Sequence, residues 1–491
     1  MKKINVIITV LIFSLFISCK KDILTENPKT LVVEDFYNTN GQVEAALASI
    51  YAPIRGQLGS WMIGAIECQT EWGAGIVGAT NFDGHKTMQG LDAVPANNIV
   101  AIWDNLYLGI RNANLVIKNV PNGKELTPAA KSLYIGEAKF MRAFIYFQLV
   151  KSWGGLPLYT DLNMDKTSGV AKSTKDDVYK LIVSDLLNAE TNLPDNAPLL
   201  GKPSKRIAKA VLADVYLYMG LYSDASKKAD EVIKTQKYSL EKVTVADDFN
   251  KLFGIGASSP EEVFYLKFNT QNPSGLILFT QQITTSWFGT SGYGIFTWFK
   301  ESKYFSEWDD KDLRKRFNWY EDSKAANRFV AGQIAFPQKG VTLISPKKYN
   351  NPTATIAAFD LPVYRYADIL LIYAEAEARV NKAPTANAIE KLNMVHRRAY
   401  GYDPMVASPV DFKLADYNET SFINLLVKEK GYEFQFEGKR WFDLVRSGQV
   451  NSVMKTYIDR DVAAKHLLWP IPAIEFSLNE ALKPSDQNPG Y

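Results

Sequence analysis

EAKFMRAFIYFQLVKSWGGLPL, residues 137–158, is the stretch on which the fold turns. Phe140, Ala143, Phe144 and Phe147 fall on one face of a helix, and Ala138, Met141, Ile145 and Leu149 fall on another. Such a helix is apolar nearly all round, so it needs neighbours on both sides. Gly154 and Gly155 can take the positive φ that ends a helix, and Pro157 forbids its continuation. The reading is a buried helix, a glycine exit and an extended segment. Arg142 is the lone charge in its middle, and a carboxylate on a neighbouring helix is its expected partner.

Working outward, a helix is expected from about Gly41 to Arg55, and another over IWDNLYLGIRNANLVIKNV, residues 102–120, closed by the turn Pro121-Asn122-Gly123. A further helix is expected from Lys175 to Asn192, before Pro194. In KAVLADVYLYMGLYSDASKKADEVIK, residues 209–234, Leu212, Ala213 and Tyr216 line one helix, Gly220 and Tyr222 mark a tight turn, and Ala225 and Ala229 allow close approach of a second. The pattern resembles a degenerate tetratricopeptide repeat, in which small residues let antiparallel helices stack. Tyr364 to Val380 with Ala386 to Tyr400 forms a second candidate pair, and Glu375 and Arg379 are spaced to pair along its first helix.

Two regions break this periodicity. Trp61 to Val94 is rich in glycine and reads as a long, ordered surface loop region, a common place for ligands to be held. Glu262 to Tyr366 reads as a loop-rich lobe. Its short β-prone runs are EVFYLKF, residues 262–268, and VTLI, residues 341–344. Between them lie Trp287, Phe288, Tyr293, Trp298, Trp308 and Trp319.

The 491 residues are 46% hydrophobic and 22% charged, values that allow a large core. A formal net charge of only +3, with no basic run interleaved with aromatics, argues against nucleic acid as a partner. Lys2 and Lys3 followed by an apolar run from Ile4 to Ile17 form an export signal, too short to span a bilayer. Phe16-Ile17-Ser18-Cys19 looks like a lipobox, which implies a signal peptide over 1–18, acylation of Cys19 and firm anchoring by several acyl chains. Residues 19–35 then read as a lipidated tether and residues 36–491 as a single domain. Lys20 after the cysteine favours the outer membrane by analogy with lipoprotein sorting. With Cys19 lipidated, Cys68 has no disulfide partner.

The inventory of reactive groups argues against an enzyme. His85, His396 and His466 are far apart, and no HExxH, GxSxG or glycine-rich phosphate loop is present. No metal site or cofactor is expected. Asp309, Asp310 and Asp312, alternating with Lys311, Arg314 and Lys315, read as a solvated helix face, and their spacing is not that of an EF-hand. A sugar site needs flat apolar rings for the C–H face of a pyranose and hydrogen-bonding groups at its edge. Trp72, Trp287, Phe288 and Tyr293 are the candidate platforms, with Asn81 and Asp83 as candidate partners for hydroxyls. Trp103, Trp153 and Trp441 sit inside helix signals and read as core.

Four blocks in order carry a family resemblance. They are EAKFMRAFIYFQLVKSWGGLPL; LPVYRYADILLIYAEAEA, residues 361–378; EFQFEGKRWFDLVRSG, residues 433–448; and WPIPAIEFSLN, residues 469–479, with the terminal QNPGY, residues 487–491. Behind a lipobox they resemble the SusD/RagB family of outer-membrane nutrient-binding lipoproteins over nearly the whole chain. Glu437, Arg440, Trp441 and Asp443 within these blocks are read as a buried scaffold network. The resemblance implies a mainly α fold of four tetratricopeptide-like helix pairs with an irregular lobe containing short strands. It also implies capture of an oligo- or polysaccharide at the cell surface and delivery to a SusC-like TonB-dependent transporter, with no chemistry on the ligand. A peptide-binding RagB-like role, or an assembly scaffold that grips only proteins, remains as an alternative.

Overall fold

The computed structural model describes residues 36–58, 62–73, 83–88, 91, 97–254, 256–272, 298–321, 343–349 and 358–491. Export signal, Cys19 and tether lie outside them.

The helices are α1 Asn40–Gln57, α2 Ile63–Cys68, α3 Asp83–Thr87, α4 Asn97–Asn119, α5 Pro128–Trp153, α6 Lys175–Asn192, α7 Lys205–Tyr218 and α8 Tyr222–Ile233. Within the lobe lie α9 Lys303–Ser306 and α10 Leu313–Asn318, and after it come α11 Tyr366–Asn381, α12 Ala386–Ala399, α13 Glu419–Glu433, α14 Arg440–Ser447 and α15 Val450–Ile458. Four successive pairs, α1 with α4, α5 with α6, α7 with α8 and α11 with α12, stack on one another. The fold is mainly α and tetratricopeptide-like.

At the centre, α5 starts where the Thr127 side chain accepts from Ala130 N–H and Pro128 occupies the first turn, and it stops at Gly154 with φ +72°. Both of its faces are used. Phe140 and Phe144 meet the edge of Phe264 at 5.4 and 5.8 Å, while Phe147 meets Tyr218 at 5.2 Å. Burying each phenyl ring contributes roughly 1.5–3 kcal/mol. Arg142 finds its carboxylate: Nε and Nη2 donate to Asp185 on α6 at 2.7 and 2.9 Å. Its Nη1 donates to Asn114 and Asp161.

In the turn between α7 and α8, Gly220 sits at φ +74°, and Ala225 and Ala229 are buried against neighbouring helices. Glu375 does not pair with Arg379. Its oxygens accept from Arg446 at 2.6 and 2.7 Å, and Arg379 approaches Glu419 instead. Glu375 is on the inner face of α11, where an interhelix partner replaces the solvated pair that i,i+4 spacing suggested.

The strands are β1 Leu156–Pro157, β2 Lys172–Ser173, β3 Glu262–Leu266, β4 Trp298–Phe299, β5 Trp319–Glu321, β6 Leu343–Pro346 and β7 Leu361–Arg365. Strand β3 pairs antiparallel with β7 from Glu262 opposite Arg365 to Leu266 opposite Leu361, so the lobe returns beside its own start. A small sheet in the order β4, β6, β5 forms within it.

The terminal motifs close the end of α5. Trp153 Nε1 donates to Pro470 O at 2.9 Å, and Trp469 meets the Trp153 ring edge-on at 5.0 Å. Asn488 donates its amide to the carbonyls of Trp153 and Trp469, while Gln487 pairs with both backbone groups of Ile471. Two side-chain amides thereby take the place of a strand partner for an extended tail.

Candidate functional site

The two regions singled out for ligand binding are joined at their described bases. Segment 62–73 is not a surface loop: from Met62 to Gly73 it is buried throughout. Its polar side chains are satisfied by residues far along the chain. Trp469 Nε1 donates to Gln69 Oε1 at 2.9 Å. Arg440 donates to Glu71 through Nε at 3.0 Å and Nη2 at 2.6 Å. Glu67 accepts from Gly438 N–H and from Trp72 Nε1, both at 2.8 Å.

Trp72 is fully buried, its indole N–H taken by Glu67 and its ring 5.3 Å from that of Tyr304. The Arg440 guanidinium lies 5.9 Å from the same ring. A sugar needs an open ring face, and this ring offers none. The expectation of a stacking platform at Trp72 is therefore corrected: its indole anchors the loop base. Asp83 opens α3, and its side chain lies outside the described residues, as do Asn81, Trp287, Phe288, Tyr293 and the side chain of Trp298.

At the base of the lobe, Tyr304 touches Trp308, Tyr432 and Tyr457, and Trp308 stacks on Tyr432 with centroids 4.3 Å apart and planes 9° apart. Trp319 packs on Phe436, and its Nε1 donates to Gln435 Oε1 at 2.9 Å. The loop ends therefore stand on one platform, built from the connection between α13 and α14.

Beneath it lies a buried ion network. Arg365 donates to Glu261, Glu433 and Glu437, and Arg398 donates to Glu261 and Glu433. Lys348 donates to Glu437 at 2.6 Å, and Arg314 to Asp312, Glu429 and Glu433. Asp312, Arg314 and Lys315 are thus buried, contrary to the solvated face expected of them. Alternating charge reads as surface only where no opposite charge waits in the interior, and here α13 supplies Glu429 and Glu433. Glu437, Arg440, Trp441 and Asp443 are all buried, as expected of a scaffold.

The acids divide by partner. Burial would raise Glu437, but Arg365, Lys348 and Lys439 overcome it and hold its carboxyl well below the usual range. Burial likewise opposes Lys430 and Arg446 at Asp443, which settles at about 2. Glu67 has only hydrogen-bond donors and the more distant Lys348, so burial wins and pushes it up to about 7. A raised acid near a lowered one is the electrostatic pattern of glycoside hydrolysis. Glu67 cannot serve as that acid here: it is fully buried, and both its oxygens accept protein donors. Among the described residues no group of three His, Cys, Asp or Glu gathers as metal ligands would. Nor is any described helix long and apolar enough to cross a membrane. The arrangement holds loops in place.

Glu67, Glu71 and Tyr304 were missed from sequence. Two acids four residues apart inside an apolar run, IGAIECQTEW, were the available signal, since such acids stay buried only with partners.

Residues 297–491 match the model of the SusD family, and residues 76–217 match a second model described as starch-binding, associating with the outer membrane. The SusD-like protein P2 of Formosa agariphila is 27% identical, with all of both chains covered. Among solved structures, surface glycan-binding protein A of Bacteroides thetaiotaomicron superposes with a TM-score of 0.74 at 21% identity, covering 93% of this chain and all of the other. The same protein in complex with laminarihexaose gives 0.71 at 21% identity over 92% of this chain and all of the other.

Proposed function

Because the chain belongs to the SusD/RagB family, we propose that it is a cell-surface lipoprotein that binds an oligo- or polysaccharide and delivers it, chemically unchanged, to a SusC-like TonB-dependent outer-membrane transporter. Glycan binding by relatives supports the ligand class: one structural neighbour is in complex with laminarihexaose, and another is a laminarin-binding SusD-like protein. The observation that carries the reading in this chain is the meeting of Trp72 with Tyr304, which ties the bases of the two loop regions together. Loops rooted on one rigid platform can hold aromatic rings and hydroxyl partners in a fixed relation, which lowers the ordering cost of binding. The proposed contacts are Trp287, Phe288 and Tyr293 as ring platforms with Asn81 and Asp83 at the sugar edge.

Cys19, acylated after removal of residues 1–18, anchors the chain in the outer membrane, with residues 19–35 as the tether and 36–491 as one SusD-like domain. The transporter partner and the absence of catalysis belong to this same reading.

The test is a binding screen of the chain lacking residues 1–19 against polysaccharides, their matched oligosaccharides and a parallel peptide set. Saturable glycan binding that weakens at least tenfold in Trp287→Ala is the expected result, tenfold being about 1.4 kcal/mol. Unchanged affinity in that variant discards the site. A peptide hit without any glycan hit moves the ligand class to peptides.

A further inference from the structure

A cleft of about 430 Å³ opens between the α6/α7 turn, residues 237–238 and the chain entering β3. Asn196, Leu200, Arg206, Lys237, Tyr238 and Ser258 are among the residues that line it. Its volume falls in the range of small-molecule sites, about 300–1,000 Å³, which combine apolar walls with a few convergent polar groups.

Arg206 is the informative residue. Its Nη1 donates to Asp195 O and to Asn196 Oδ1, which fixes the half-buried guanidinium on the turn. The other edge, Nε and Nη2, has no acceptor among the described residues. Elsewhere in this chain that edge holds a carboxylate: Arg142 uses it on Asp185, Arg397 on Asp411 and Arg440 on Glu71. At Arg206 the same planar fork is positioned and unpaired, and such a fork matches the oxygens of a carboxylate or a sulfate.

The acids on the cleft wall are committed elsewhere. Asp195 approaches Lys205 at 3.7 Å, and Glu262 accepts from Lys267 at 2.7 Å. Lys202 is matched by Glu44 and Glu137. Among the described residues, the exposed Lys237 forms no ion pair, and the hydroxyls of Tyr238 and Ser258 and the amide NH2 of Asn196 have no partner. The unpaired groups are donors, two of them cationic. Beside them lies apolar surface: Leu200 is 73% exposed, and the half-buried Tyr238 ring is backed by Tyr366 with centroids 6.4 Å apart. A bare anion would use the fork and leave this surface bare, whereas a pyranose presents a C–H face and an oxygen-rich edge together.

We propose that this cleft is a second glycan site, taking a pyranose unit that carries an anionic group, a uronate carboxylate or a sulfate ester. Arg206 holds the anionic group side-on, Lys237 adds charge at the mouth, and Tyr238 and Leu200 meet the sugar ring. The ligand of the chain is then an acidic polysaccharide. The sugar rests on the glycan reading above, and the charge rests on the unpaired guanidinium edge.

The test is calorimetric titration of the intact chain at low salt with tetragalacturonate, its fully methyl-esterified form, a sulfated galactotetraose and inorganic sulfate. At least one acidic tetramer is expected to bind about tenfold more tightly than the neutral ester, and Arg206→Gln and Lys237→Gln are each expected to remove most of that preference. Because Arg206 also pins the turn, a second readout locates the site: the bound acidic tetramer should slow acetylation of Lys237 about fivefold or more and leave the exposed Lys227 unchanged. Equal affinity for acid and ester, full affinity in Lys237→Gln, or an unprotected Lys237 overturns the proposal. So does inorganic sulfate that protects Lys237 at the same concentration as the sulfated tetramer, since the sugar then contributes nothing. Neutral oligosaccharides that bind through Trp287 while both acidic tetramers fail sink this inference alone, and silence from every sugar sinks the glycan reading with it.

Discussion

Replacing Arg440 by Met separates the loop platform from the C-terminal scaffold with little change of side-chain volume. Arg440 and Glu71 are buried, and two guanidinium nitrogens reach the Glu71 carboxylate at 3.0 and 2.6 Å. A third donates to Val427 O. Arg440→Met removes all of these and leaves Glu71 as an unpaired carboxylate away from water. Breaking one side of a buried pair costs about 3–5 kcal/mol. Unfolding entropy is about 2.1 cal/mol/K per residue, so 491 residues give about 1 kcal/mol/K, and the expected fall in Tm is about 3–5 °C. The double variant Arg440→Met with Glu71→Leu has no uncompensated charge and should recover most of the loss, to within about 1–2 °C of the parent. Differential scanning calorimetry of the four proteins at pH 7 measures the cycle. A single variant that loses less than about 1 °C, or a double variant that falls by the sum of the two singles, refutes the view that the pair is held by mutual compensation.

Other outcomes follow from the same geometry. Trp72→Phe should keep glycan affinity within twofold while lowering stability by about 1–3 kcal/mol, because it removes the donor to Glu67 without touching an exposed ring; a tenfold loss of affinity by calorimetric titration would restore Trp72 to the binding face. Glu67 titrates at about 7 in the fold and near 4.5 unfolded, so between those values the folded chain holds a proton that the unfolded chain has released. Stability from this group therefore falls as pH rises from about 4.5 to 7, by on the order of 3 kcal/mol, and Glu67→Gln should flatten that part of the urea-midpoint profile. Asp443 acts in the opposite sense: depressed to about 2, it contributes stability that is present above pH 4 and lost as pH falls toward 2, so both Glu67→Gln and the parent should unfold in acid. Gly154→Ala should cost about 1–3 kcal/mol, because φ is +72° there and the new Cβ would sit 3.1 Å from Leu468 Cδ1; an unchanged thermal midpoint would show that the helix exit relaxes freely.

The core helix was legible because its signals are local. Thr127 and Pro128 start it, Gly154 stops it, and the apolar ring around Phe140 to Leu149 demanded neighbours that α6, α7 and β3 supply. The close pair at Gly220, Ala225 and Ala229 was legible for the same reason, and so was the need of Arg142 for a carboxylate, though not that Asp185 would be the one. Segment 62–73 was misread because glycine content describes backbone freedom and says nothing of what packs on the chain. Asp312 and Arg314 were misread because alternating charge is compatible with either water or a buried counter-charge.

The sequence alone determined the central helix with its ends, the close helix pair at Gly220 and the family blocks, since each depends on residues within a few positions of one another. Only the tertiary structure decided which aromatic and charged side chains are interior. Trp72 is buried because Glu67 takes its proton donor while Gly438 and Arg440, 371 and 369 residues from the acids they bind, close over the segment. Burial depends on contacts between distant parts of the chain, and a local pattern carries no record of them.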